Sequence, residues 1–318
     1  MGYLLRICFI KKTHLLKVSF FTLFLILFYV FDIMILYILN FIKVGGDVLV
    51  ADMHTHSESS HDSVCKIEDM CDVQIAKGTK VFAVTDHFDT ASFMDYDVFT
   101  PINNACEKVA QLNEIYKDKI LILRGIEISE GFWYPEVYSK IRTLTDYDVI
   151  IGSVHLVKYK ELTYAFSKID FSALSYETTV EYVDAYFDDI LTMLDTVDFD
   201  ILAHLTCPIR YIKGKYQIDL DMARYEKKIE KILDTIIEKG IALEVNTSSF
   251  DVLGDFMPSV DILKKYYHMG GRLLTLGSDA HVADNASKNF DEAVLEIKKI
   301  GFEKNYYYKN RKPVEIAI

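Results

Sequence analysis

At 318 residues, 51% hydrophobic and 26% charged, the chain has material for one large domain of about 250 residues plus an extension, and no repeat or low-complexity linker divides it. The net charge is −12, and the first 47 residues hold five of the 35 basic residues but only two of the 47 acidic ones, so the remainder is more acidic still. A surface of that sign speaks against a polynucleotide partner and suits a small substrate drawn in by local cationic charge.

Residues 1–48 form a hydrophobic extension. Within it, residues 18–42 are interrupted by one charge, Asp32, and are long enough to cross a bilayer. Arg6, Lys11, Lys12 and Lys17 precede that span, so the positive-inside tendency would put the rest of the chain outside the cytoplasm. A secretory signal fits poorly, because the apolar region is too long and no small-residue cleavage site follows. The preferred expectation is a non-coding AT-rich stretch read as protein. Gly45-Gly46-Asp47 would then be a purine-rich ribosome-binding site, with translation starting near Leu49 or Val50 and a cytoplasmic product. A membrane anchor through residues 18–42 is the alternative. Residues 49–318 are expected to form the folded domain.

From there, short apolar runs end repeatedly in polar residues. Val48 to Ala51 leads into Asp52-Met53-His54-Thr55-His56, Val81 to Thr85 into Asp86-His87, and Ile120 to Ile126 into Glu127. Val149 to Val154 ends at His155, Phe199 to Ala203 at His204, Ile241 to Val245 at Asn246, and Leu273 to Ser278 at Asp279, with His281 two residues on. Between them, helical spacing predicts helices near 67–77, 102–116, 136–144, 177–194, 221–238, 259–268 and 290–300. Continuous apolar strands alternating with helices predict a parallel sheet buried on both faces, and seven such units predict a distorted TIM-like (β/α)7 barrel. Chemistry in such barrels sits at the C-terminal strand ends.

Six of the nine histidines lie at those ends, accompanied by acids. Strand alternation points His54 and His56 the same way, where both can reach one ion. A single strand-end histidine is ordinarily structural, but this many imidazoles and carboxylates buried without a cation would carry a large desolvation cost. Mixed nitrogen and oxygen donors favour zinc, manganese or iron over calcium or magnesium.

The runs Asp52-Met53-His54-Thr55-His56-Ser57, Thr85-Asp86-His87, Arg124-Gly125-Ile126-Glu127, Gly152-Ser153-Val154-His155, Ala203-His204-Leu205 and Gly277-Ser278-Asp279-Ala280-His281 together resemble the PHP (polymerase and histidinol phosphatase) family. The likeness extends from about residue 49 through the tail Lys309 to Val314, and is greater toward the family's monofunctional histidinol-phosphate phosphatases. It implies three divalent transition-metal ions. The first takes His54, His56, Glu127 and Asp279; the second shares Glu127 and adds His155 and His204; the third takes Asp62, His87 and His281. His61 is an alternative to Asp62. The implied reaction is phosphomonoester hydrolysis of a small metabolite, with Asp279 as candidate proton acceptor and His281 as candidate donor to the leaving group. A nuclease or other phosphoesterase, and a catalytically silent metal-binding domain, are the competing readings.

A phosphate dianion also calls for fixed positive charge, and Arg210, on the loop after the fifth strand, is the first candidate for substrate binding and catalysis. Asn246 is a candidate substrate or supporting residue. The family often offers an arginine after this point; here Phe250 and Asp251 stand instead. Arg272 precedes a strand and reads as structural. Asp52 and Asp86 could orient ligand histidines or cap the following loops. Gly125, Gly152 and Gly277 read as sites of close backbone approach. Trp133 could line the pocket or simply pack. The five cysteines, Cys8, Cys65, Cys71, Cys106 and Cys207, show no metal spacing and read as reduced thiols.

Overall fold

The computed structural model describes residues 50–92, 97–160 and 162–318; the expectations for residues 1–48, including the 18–42 span and Cys8, lie outside them. Among the described residues no helix is long and apolar enough to cross a membrane.

Twelve strands are described: β1 (Ala51–Thr55), β2 (Val81–Val84), β3 (His87–Asp89), β4 (Leu121–Ser129), β5 (Val149–Ser153), β6 (Leu156–Tyr159), β7 (Leu162–Ala165), β8 (Ile201–Leu202), β9 (Ala242–Asn246), β10 (Leu274–Gly277), β11 (Lys304–Lys309) and β12 (Lys312–Ala317). Seven of them form a parallel path, β1-β2-β4-β5-β8-β9-β10. Beyond the last strand, Asp279 N–H donates to the His54 carbonyl (2.8 Å) and His56 N–H to the Ala280 carbonyl (2.9 Å), which nearly closes the sheet into the expected barrel.

The helices are α1 (Ile67–Ala76), α2 (Phe99–Tyr116), α3 (Pro135–Ile141), α4 (Tyr176–Thr196), α5 (Cys207–Tyr216), α6 (Glu226–Lys239), α7 (Phe250–Leu253), α8 (Val260–His268) and α9 (Phe290–Ile300). Apolar spacing explains their seating: α6 buries Ile229, Ile232, Leu233 and Ile236 and stops at Gly240, whose φ of 68° suits the left-handed cap. Helices α5 and α7 and the β6–β7 hairpin were not expected from periodicity. They are short, and α7 buries none of its side chains.

The strands are apolar on both faces, as the continuous runs predict. Met53, Ala83, Leu123, Ile151, Ile201 and Ala242 fill the interior, while Ile126, Ile150, Leu202, Leu243 and Leu276 meet the helices. The β11–β12 hairpin closes the floor: Tyr308 and Ile316 are buried against the interior cluster, and Arg311 Nε lies 2.6 Å from Asp200 Oδ2, which also accepts the Ile150 N–H. The tail sequence therefore serves as a plug.

Two local departures aim the site. The β1–β2 register slips between Asp52 and Thr55, so Met53 packs inside and the next residue, His54, also reaches the interior cluster. His204 (φ 25°) and Asp279 (φ 54°) take left-handed backbone, where non-glycine residues cost energy, as recurs at functional positions.

Candidate metal centre

Nine side chains proposed from sequence, carried on different strand ends, converge at the C-terminal mouth. His54 Nε2 lies 3.2 Å from Glu127 Oε2, and His56 Nε2 lies 3.2 Å from Asp279 Oδ1. His155 and His204 direct Nε2 to the other Glu127 oxygen at 3.2 and 3.0 Å. His87 and His281 bring their Nε2 atoms to 3.3 Å from each other, with Asp62 Oδ2 3.3 Å from His281. Asp62 faces this pair, whereas His61 is largely exposed and turns to Asp89 at 3.6 Å.

The donor set fits cations. His54 Nε2, His56 Nε2, His87 Nδ1, Glu127 Oε2 and His204 Nδ1 are all buried without a hydrogen-bond partner. The first four make no hydrogen bond of regular geometry although nitrogen and carboxylate oxygen crowd to 2.8–3.2 Å, the spacing of donors that face a shared cation. Sets such as His54/His56/Asp279, His54/Glu127/His204 and His56/His87/His281 lie close enough to share an ion. Burial disfavours the charged form of His54, but Glu244, Glu127 and Asp279 raise it well above the imidazole range. Burial likewise opposes ionisation of Glu127 and Asp279, yet the surrounding histidines hold both well below the carboxylate range.

The histidines are supported from behind. His54 Nδ1 meets Glu244 Oε1 at 2.6 Å, His56 Nδ1 meets Ser60 Oγ at 3.2 Å, and His155 Nδ1 faces Asp89 Oδ1 at 3.5 Å. Carboxylates in that position fix the ring tautomer. Sequence reasoning assigned no role to Glu244 or Asp89. Signals existed: Glu244 is an acid inside an otherwise apolar strand, and Asp89 stands two residues past His87, on the same face. Asp89 also joins His87 and His155 in a fourth set able to share an ion. Glu130 is buried too; its carboxylate accepts the N–H groups of His155 and Leu156, and burial pushes it up to about 7.

The other residues singled out from sequence take varied places. Asp52 and Asp86 touch no ligand ring. Asp52 accepts from Ser278 N and Oγ, Gln74 Nε2 and Ser287 N, tying β1 to the end of β10. Asp86 accepts from Ser57 and Ser60, so it acts on His56 only through Ser60. Asn246 is fully buried and off the cavity wall, satisfied by Glu244 Oε2 (3.1 Å) and Ser248 (2.6 Å), so of its two expected places it takes the supporting one and does not face substrate. Arg210 sits in α5 rather than on a loop, and donates to Ser248 Oγ at 3.1 Å. Arg272 stacks on Tyr267 and binds carbonyls at the end of α8, as a structural residue would. Trp133 carries Lys158 over its ring and lies off the cavity. The Cys207 thiol lines the cavity, but burial pushes it up to about 12, so it is no nucleophile. A Cβ on Gly277 would lie 2.1 Å from Glu244 Oε1, the close approach expected there.

Above the cluster opens a cavity of about 520 Å³, walled by Phe166, Tyr211, Arg210, Asp251 and Lys288. That volume suits a small metabolite.

A family model described as PHP domain matches residues 52–248. The protein named probable histidinol-phosphatase of Thermotoga maritima is 28% identical over 254 residues, covering 79% of this chain and 93% of that protein. The histidinol-phosphatase of Lactococcus lactis is 27% identical over 252 residues, covering 79% of this chain and 91% of that protein. A crystal structure of histidinol phosphate phosphatase from Lactococcus lactis, complexed with zinc, L-histidinol and phosphate, superposes with a TM-score of 0.69 at 25% identity, covering 83% of this chain and 98% of that one.

Proposed function

The chain belongs to the PHP domain family, and on that footing we propose that it is a metal-dependent phosphomonoesterase that hydrolyses L-histidinol phosphate to L-histidinol and phosphate in histidine biosynthesis. The observation that carries this reading is the convergence of nine imidazole and carboxylate side chains around orphaned donor atoms, under a cavity with room for one small molecule.

In this reading His54, His56, Glu127 and Asp279 hold one divalent cation, Glu127, His155 and His204 a second, and Asp62, His87 and His281 a third, with zinc, manganese or iron as the metal. Such cations supply Lewis acidity toward phosphoryl oxygens and toward water. Arg210, held beside Asp279 through Ser248, places its planar fork where it can take two phosphoryl oxygens. Asp279 is kept ionised by His54, His56 and His281, and accepts the proton of the attacking water. His281, part-exposed at the cavity, ligates the third ion as a neutral imidazole beside Asp62 and His87; the alternative role, donation of a proton to the leaving alkoxide, requires that ring to be free of metal. Phe166 and Tyr211 offer aromatic walls to a ring-bearing substrate.

The test is an assay of purified protein loaded with zinc or manganese, on histidinol phosphate, other small phosphomonoesters and single-stranded DNA, with metal stoichiometry determined on the same sample. Phosphate release from histidinol phosphate with DNA left whole is expected. Turnover that survives complete metal removal, or cleavage of DNA in preference to the metabolite, would overturn the reading.

A further inference from the structure

Of the residues lining the cavity, Arg210 and Lys288 are those with permanent positive charge. Lys288 is presented with unusual care. The residues on either side, Ser287 (φ 50°) and Asn289 (φ 60°), both adopt left-handed backbone, which strains a serine and which asparagine tolerates. The turn is pinned on two sides: Ser287 N–H donates to Asp52 Oδ2 (2.9 Å), and the Thr247 hydroxyl donates to the Lys288 carbonyl (2.7 Å). Its ammonium rests 2.5 Å from Asp251 Oδ2, and Asn289 Nδ2 fixes the other Asp251 oxygen at 3.2 Å.

As a stability device this pair makes little sense. The Lys288 and Asp251 side chains are 47% and 52% exposed, and an ion pair that open to solvent adds little to stability. As a binding device it does. Thr247, Ser248 and Asp251 follow β9 on one segment, so the segment that holds Arg210 through Ser248 also holds Lys288 through Thr247 and Asp251. Two cations tied to one segment thereby line the same cavity in a strongly acidic protein. We propose that Lys288 is a second phosphoryl-binding cation beside Arg210, parked on Asp251 until a phosphate dianion displaces that carboxylate. This rests on the phosphomonoesterase reading and deepens it: the cavity selects a dianionic phosphate monoester over singly charged esters.

The roles of Lys288 and Asp251 predict opposite signs. With metal-loaded protein, inorganic phosphate is titrated calorimetrically, and KM and kcat are measured for whichever phosphomonoester the wild type hydrolyses. Lys288→Gln should weaken phosphate binding and raise KM by about tenfold, the loss of one charge-assisted contact, with kcat reduced less than threefold. Asp251→Asn should tighten phosphate binding severalfold, because Lys288 no longer has a competing partner. Lys288→Arg should keep affinity within about threefold. If Lys288→Gln and Asp251→Asn both leave phosphate affinity within twofold, or move it in the same direction, Lys288 is a structural partner only and the inference is wrong. A wild type that neither binds phosphate nor turns over any phosphomonoester refutes the parent reading instead, and the inference with it.

Discussion

Glu244 grips two histidines of the cluster at once: Oε1 lies 2.6 Å from His54 Nδ1, and Oε2 accepts the backbone N–H of His204 at 2.8 Å. One buried carboxylate thus sets the tautomer of a ring in one proposed ion position and the backbone of a residue in another. Glutamine retains an oxygen for only one of the two, and its amide would face either an N–H donor or the Asn246 Nδ2 that also leans on Oε2 at 3.1 Å. Glu244→Gln should weaken metal binding about 10- to 100-fold, read by titration against a chelator of known affinity. Unchanged affinity would show that Glu244 only packs.

Gly277 protects that contact by having no side chain. Its added Cβ would sit 2.1 Å from Glu244 Oε1 and 2.8 Å from the His54 Cβ, and neither partner has a free direction in which to yield. Gly277→Ala should cost about 1–3 kcal/mol of stability and lower metal content as well. Gly152→Ala is the control. There the Cβ meets the Phe199 ring at 2.7 Å, so chemical denaturation should show a comparable stability loss with metal content preserved.

The strand ends could be read from the sequence because burial on both faces leaves nothing but apolar residues until the chain reaches the barrel mouth. His155, His204 and Asp279 are visible at that break. The supporting layer is harder to read because it depends on contacts between distant segments: Glu244 and His54 are 190 residues apart, and Lys288 lies well beyond α7, which carries Asp251. Alternation alone would also misplace Met53, since the slipped register of β1 turns both Met53 and His54 inward. Asp62 and His61 adjoin in sequence, and only the fold shows that Asp62 faces His87 and His281. Helix α5 was hidden because Pro208 and Gly214 break the usual helical pattern, although proline is tolerated in a first turn.

Metal removal should be felt as proton uptake. Burial disfavours the charged form of His281, but Asp62 and Asp279 outweigh it and raise the ring to about 9 in the cation-free protein. At pH 7 that ring is therefore protonated without metal and must lose its proton to become a ligand. Metal binding should release protons, and affinity should rise as pH increases from 6 to 9. Calorimetry in buffers of different ionisation enthalpy measures the release; a buffer-independent heat would contradict the assignment of His281 as a ligand. Chelation should also lower Tm and abolish turnover, both restored by zinc or manganese.

Asp189, on α4, offers a test of stability away from the cluster. Burial raises its carboxyl from 3.8 to about 6, the neighbouring Asp188 adds to the rise, and Lys158 opposes it; Oδ2 has no hydrogen-bond partner. A raised carboxyl means that the folded protein binds the proton more tightly than the unfolded chain. The favourable contribution is complete below about pH 4 and is lost as pH climbs through 6. At pH 7.5 the wild type therefore carries an unpaired, partly buried charge that Asp189→Asn removes. Discounted for the partial exposure of the side chain, the gain should be about 1 kcal/mol, or roughly 2–4 °C in Tm for a domain of this size. The advantage should vanish at pH 4, where both proteins are neutral at this position. Melting curves of metal-loaded protein at pH 7.5, and of both proteins stripped of metal at pH 4 and 7.5, separate this effect from metal loss; an equal Tm difference at the two pH values in the stripped proteins would show that the gain is not electrostatic.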